Sequence, residues 1–262
     1  MTDSIVQKVS RAGQWFQPAE ADPDSAYRVL LFPHAGSGAI IYRDWADLLP
    51  GDVSAQAVTL PGRQERRGEE AYTAWQPLVE GLYEAVLDTV DSRPFAFYGH
   101  CLGAQLSYEL AVRMQKDGLP GPVLVGMSGW APEGFFVPRD EHIEMPQAEL
   151  IDWIKRLGSF PAEIYDNPEM LAMVIPALRA DLSVAAQRVD HGALVPCALI
   201  SYGGREDGLQ EEPDAFQSWV PRSPHYLGHR EYPGGHFFID SNAPAIIQDF
   251  CSQLYRLAAA RG

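Results

Sequence analysis

Residues 97–111, "FYGHCLGAQLSYELA", join two kinds of pattern across one turn. Upstream, "PFAFYG" (94–99) is a short continuous apolar run, the pattern of a buried strand. Downstream, "LGAQLSYELAVRMQKDG" (102–118) repeats apolar residues at helical spacing. The turn between them reads Gly99-His100-Cys101-Leu102-Gly103. A strand that passes through such a turn straight into a helix is the setting in which a G-x-S-x-G frame presents a nucleophile. Here the central residue is cysteine. The two glycines keep side chains out of a crowded turn. Cys101 stands at a helix N-terminus, where peptide dipoles stabilise an anion. Taken alone, the frame also fits a buried structural thiol, so the rest of the chain must decide.

Outward from this turn the same alternation continues. Apolar runs at 27–32, 52–60, 122–129, 196–204 and, shorter, 229–235 read as strands. Helical spacing appears at 42–49, 73–90 and 244–260. Near-continuous apolar strands alternating with helices predict an α/β fold with a mostly parallel sheet covered on both faces. The polar start, ending in "PAEADPDSA" (18–26), reads as a loose lead-in. From about 131 to 191 no strand pattern occurs. Two helix-like stretches there are punctuated by Pro138, Pro146, Pro161, Pro168 and Pro176. This segment is expected to be a helical lid inserted into a single domain spanning 1–262, the alternative being an ordinary pair of crossover helices.

Composition narrows the classes. Of 262 residues, 46% are hydrophobic and 21% charged, as in ordinary globular domains. A formal charge of −15 disfavours nucleic acid and anionic membranes as partners. No apolar run has the length of a membrane span, and the N-terminus lacks a signal-peptide pattern. A cytoplasmic protein is expected. Cys101, Cys197 and Cys251 show no C-x-x-C spacing, so they read as reduced thiols, with no metal site.

Three further segments carry chemistry. "LLFPHAGSGA" (30–39) puts a Gly-rich loop at a strand's carboxyl end. Acyl transfer needs two donors aimed at a developing oxyanion. The backbone N–H groups of Ala35 and of Leu102, which follows the nucleophile, are the candidates, and His34 reads as a loop-shaping residue. In "GGREDG" (203–208), Asp207 is placed to orient a histidine, with Glu206 and Asp214 as alternatives. In "YPGGHFFID" (232–240), His236 follows a glycine pair after the last strand, a more site-like context than those of His225 and His229. Cys101, Asp207 and His236 occur in the nucleophile-acid-base order of α/β-hydrolases. That combination is far more specific than any single motif.

Together "FPHAGSGA", "LPGRQER", "YGHCLGAQLSYELA", "GGREDG" and "YPGGHFFI" resemble the type II thioesterases of polyketide and nonribosomal peptide pathways. The likeness runs from about Tyr27 to the last helix. It implies an α/β-hydrolase fold with a helical lid over an acyl chamber. It also implies hydrolysis of acyl thioesters held on the phosphopantetheine arm of acyl or peptidyl carrier proteins. No cofactor is implied, and a monomer is expected. By match, Cys101 is the nucleophile, His236 the general base and acid, and Asp207 its orienting partner. Ala35 and Leu102 form the oxyanion hole. Met170, Met173, Val174 and Leu178 are candidates for lining the chamber, although at helical spacing they equally suit an ordinary core. Arg63, Arg66 and Arg67 are candidates for meeting the carrier.

Cys101 departs from the usual Ser of that family. Attack by sulfur exchanges one thioester for another, nearly balanced in energy, which suits transfer as well as hydrolysis. Two alternatives follow. One is an acyl- or aminoacyltransferase that shuttles groups between carriers. The other is a non-catalytic carrier-binding protein.

Overall fold

The computed structural model describes residues 14–160 and 162–260. Residues 1–13 of the expected lead-in, and Pro161, lie outside them. A seven-stranded sheet forms the centre: β1 (Phe16–Gln17), β2 (Tyr27–Phe32), β3 (Val53–Val58), β4 (Phe95–His100), β5 (Leu124–Ser128), β6 (Ala198–Gly204) and β7 (Tyr226–Tyr232). Their spatial order is β1-β3-β2-β4-β5-β6-β7. Only β1 runs antiparallel to its neighbour.

Alternate side chains of each strand serve opposite layers. Leu30 and Phe32 of β2, with Phe95 and Phe97 of β4, enter one core against α1 (Trp75–Thr89) and α2 (Leu102–Lys116). Val29, Leu31, Ala96 and Tyr98 enter a second core beneath α7 (Ile239–Ala259) and a 3₁₀ run at Ala39–Trp45. Burial on both faces explains why these strands read as unbroken apolar runs.

Between β5 and β6 the described chain has no strand. It carries α3 (Asp140–Ile143), α4 (Gln147–Leu157), α5 (Ala162–Tyr165) and α6 (Pro168–Ala186). Asn167 caps α6, its side chain accepting the N–H groups of Glu169 and Met170, with Pro168 in the first turn. Leu150 and Ile154 of α4 meet Leu171, Ile175, Leu178 and Leu182 of α6 in a separate third core.

Three expectations need correction. The lead-in is not loose after residue 13: Trp15 and Phe16 are buried, and Phe16 begins the edge strand β1. A strand of two residues is too short to show a period. The last strand occupies Tyr226–Tyr232, leaving the glycine pair to the loop beyond it. The last helix starts at Ile239 with Pro244 inside it, because Phe238, Ile239 and Ala243 pack into the second core. Here tertiary burial overrides the preference of proline for a first turn.

Candidate active site

Parallel strands deliver their carboxyl ends to one edge of the sheet, and each expected site segment begins there. β4 ends at His100, and Cys101 takes φ 56° and ψ −115° before α2 starts. Positive φ in a residue other than glycine costs about 1–3 kcal/mol and persists only where the surroundings enforce it. The enforcement is visible. The Cys101 N–H donates to the Ser128 carbonyl of β5 at 2.8 Å. A Cβ on Gly103 would lie 2.0 Å from the Phe32 carbonyl oxygen, and one on Gly99 would lie 2.1 Å from that of Gly103. Strand β2, the turn and helix α2 therefore touch backbone to backbone, and only glycine fits at either end of the frame.

His236 follows Gly234, whose φ is +113°, and Gly235. A Cβ on Gly204 would meet the Gly235 carbonyl oxygen at 2.2 Å, so the loops after β6 and β7 also touch through backbone. This brings Asp207 to His236: Nδ1 donates to Asp207 Oδ2 at 2.8 Å, with both side chains buried. The second carboxylate oxygen of Asp207 accepts the Leu209 N–H at 2.9 Å. Nε2 of His236 is buried and has no hydrogen bond of good geometry among the described residues. Burial opposes a charge on this ring. The neighbouring Cys101 and the bond to Asp207 outweigh it and raise the His236 pKa to about 10.

The alternatives lie elsewhere. Glu206 accepts the Gly234 N–H at 2.6 Å and so shapes the histidine loop rather than binding its ring. Asp214 precedes the 3₁₀ run Ala215–Arg222, where its carbonyl accepts the Gln217 N–H. His229 stacks on Phe216 at 3.7 Å and bonds Ser201, while the His225 N–H donates to Ser223.

Ala35 and Leu102 line one cleft together with Cys101 and His236. The loop carrying Ala35 is fixed at the next peptide. His34 Nδ1 donates to the Ala35 carbonyl at 2.9 Å, and the Gly36 N–H donates to Asp181 Oδ2 at 2.7 Å. Asp181 comes from α6 and is gripped by the two terminal guanidinium nitrogens of Arg63, at 2.5 and 2.8 Å. Arg63 also donates to the Ser37 carbonyl at 3.0 Å. Sequence reasoning missed this buried pair. Its signal was Asp181 amid the apolar residues of a helical run. The pair corrects the docking expectation: Arg63 is buried here, Arg66 is buried against Glu69 and the Trp15 ring, and Arg67 alone of the three is exposed.

The cleft is walled largely by apolar groups, among them Trp130, Phe135, Trp153 and Phe237. Of the four expected chamber residues, only Leu178 lines it. Met170 and Met173 are 39% and 56% exposed, and Val174 is half-buried away from the cleft. The reason is helical phase. Leu171, Ile175, Leu178 and Leu182 share the inward face of α6, which turns the two methionines outward. Gln105, in the first turns of α2, is a lining residue that the motif, which ends at Gly103, did not disclose.

A mostly parallel sheet with a strained strand-turn-helix elbow, and a histidine-carboxylate pair on later loops, defines an α/β-hydrolase. The chain belongs to the thioesterase family: a family model described as a thioesterase domain matches residues 27–254. Over 256 residues it is 28% identical to the gramicidin S biosynthesis protein GrsT of Aneurinibacillus migulanus, covering 97% of this chain and 98% of the relative. It is 27% identical to the thioesterase PikA5 of Streptomyces venezuelae, over 93% of this chain and 86% of that one. Among solved structures, the type II thioesterase BorB from the borrelidin biosynthetic cluster aligns with a TM-score of 0.81 at 26% identity, covering 92% and 97% of the two chains. Family membership makes this chain a hydrolase of thioesters.

Proposed function

We propose that this chain is a cytoplasmic editing thioesterase that removes acyl groups from the phosphopantetheine arms of carrier proteins in polyketide or nonribosomal peptide assembly. The reading rests on one observation: in a thioesterase-family chain, Cys101 and the His236–Asp207 pair meet at an apolar cleft. The gramicidin, PikA5 and BorB likenesses support the pathway class.

In the proposed reaction Cys101 passes its thiol proton to His236 Nε2 and its sulfur attacks the thioester carbonyl. A new sulfur–carbon bond forms as the carbonyl π electrons move to oxygen. The N–H groups of Ala35 and Leu102 hold that oxyanion. On collapse the pantetheine sulfur leaves and takes a proton from His236. Water then gives a proton to His236 and attacks the acyl-cysteine. On collapse the carbon–sulfur bond breaks, the Cys101 sulfur takes that proton from His236, and the free acid departs. Asp207 keeps Nδ1 occupied, so that Nε2 handles the proton. The helices between β5 and β6 act as a lid that excludes bulk water from the chamber.

The test is turnover of an acyl-loaded carrier, followed by the fate of a labelled acyl group and by intact mass. Cys101→Ala and His236→Ala should each lower kcat by a factor on the order of 10³ or more. The wild type should release free labelled acid after transient acylation of Cys101. Undiminished turnover by Cys101→Ala, or label moving to a second carrier with no free acid, would overturn the assignment.

A further inference from the structure

Gln105 lies in the first turns of α2, four residues after Cys101, and its backbone N–H donates to the Cys101 carbonyl at 3.3 Å. Both residues line the same cleft. The Gln105 side chain is 7% exposed and borders the cleft. Its carboxamide makes no hydrogen bond among the described residues. An amide at the cleft whose hydrogen-bonding capacity the protein leaves unused can complete it with a ligand. The surrounding wall is carbon-rich. Among the described residues, apart from the site's own Cys101, His34 and His236, only Gln105 and Ser159 bring an amide or hydroxyl side chain to the lining, and no Asp, Glu, Lys or Arg lines it.

We infer that Gln105 is a specificity-determining residue that selects acyl groups carrying an uncharged hydrogen-bonding substituent (a hydroxyl, keto or amide group) a few atoms from the thioester carbon. This rests on the thioesterase reading and adds the substrate class. Reach sets the position: a glutamine amide beside the reacting sulfur meets the near part of the acyl chain, not its far end. Charge sets the class. A free ammonium would be buried here near the cationic His236 ring with no Asp or Glu among the described lining residues, which is far costlier than burying a neutral polar group. An amide both donates and accepts, so it can satisfy any of the three neutral groups.

The experiment uses N-acetylcysteamine thioesters of butanoate, 3-hydroxybutanoate and 2-aminobutanoate with the full chain, measuring kcat/KM and Cys101 acylation by intact mass. The wild type should favour 3-hydroxybutanoyl over butanoyl by about tenfold, the worth of one ordinary hydrogen bond. It should disfavour 2-aminobutanoyl. Gln105→Leu and Gln105→Met keep the volume and remove the amide, so the hydroxyacyl-to-acyl ratio should fall to about one in both. A wild-type ratio near one, a ratio unmoved in a variant that turns over butanoyl thioester, or preference for the aminoacyl thioester would overturn the assignment. If no thioester acylates Cys101, the thioesterase reading itself fails and takes this one with it. If butanoyl thioester is hydrolysed without discrimination, only the role of Gln105 fails.

Discussion

The thiol at position 101 is presented by backbone that has no room to relax. Gly103 is the sharpest point: a Cβ there would sit 2.0 Å from the Phe32 carbonyl oxygen, so the helix or the strand must move. Gly103→Ala should therefore cost about 3 kcal/mol or more, as overpacking against backbone does. It should also lower turnover, checked by denaturant unfolding alongside kinetics. The ring of His236 gives a second expectation. Its folded pKa of about 10 lies above the unfolded value near 6.5. Its charge therefore contributes stability that is complete below about pH 6.5 and is lost as pH rises through about 10. Melting temperature should fall across that window, and Cys101→Ala should flatten the fall by removing the neighbour that holds the proton. The elbow frame was readable because a turn this tight tolerates few residues at its ends. Gln105 was not read, because the motif stops at Gly103 and a polar residue on an otherwise buried helix says nothing of what it faces.

Between elements, the Asp181–Arg63 pair joins helix α6 to the loop that carries Ala35. Removing one partner of a buried pair strands the other, at about 3–5 kcal/mol. Asp181→Asn should be destabilised on that scale and should lower kcat by about 10–100-fold, since the Gly36 N–H loses its charged acceptor. Two measurements separate position from stability. Alkylation of Cys101 by iodoacetamide forms no oxyanion and should keep its wild-type rate in Asp181→Asn. The double variant Arg63→Met/Asp181→Leu should recover stability, as apolar replacements of buried pairs often do, but not turnover. Loss of alkylation in parallel with turnover would refute the positioning role. Sequence spacing located both the loop and the helix, but the contact between them spans 145 residues, and no local pattern reports that. The methionines of α6 failed as chamber residues for a related reason. Helical period assigns residues to faces, whereas only the neighbouring core decides which face turns inward.

Across the whole molecule, buried neutral histidines set the acid limb of stability. Burial lowers His34 and His229 to about 4, and His100 well below its ordinary value. The unfolded chain takes up these protons near pH 6.5 while the folded chain refuses them, so stability falls as pH drops from about 6.5 towards about 4. Urea unfolding between pH 4 and 7 should show this slope. It should be shallower in His229→Asn, whose side chain cannot take up the proton. The layered architecture was legible in the sequence because strands buried on both faces must be apolar throughout. The edge strand β1 was not, since two residues carry no period and their burial depends on Trp15 and Phe16 finding the far side of β3.

The Asp181 carboxylate bears on how such enzymes diversify. Exchanging the β5–β6 segment with that of a relative is the obvious route to a chamber of another shape. Here that segment also supplies the anion that ties Gly36 and Arg63 in place. A transplanted segment without an acid at this position would bring a new chamber and unfasten the loop that carries Ala35. Segment and loop must therefore be inherited, or engineered, as one piece.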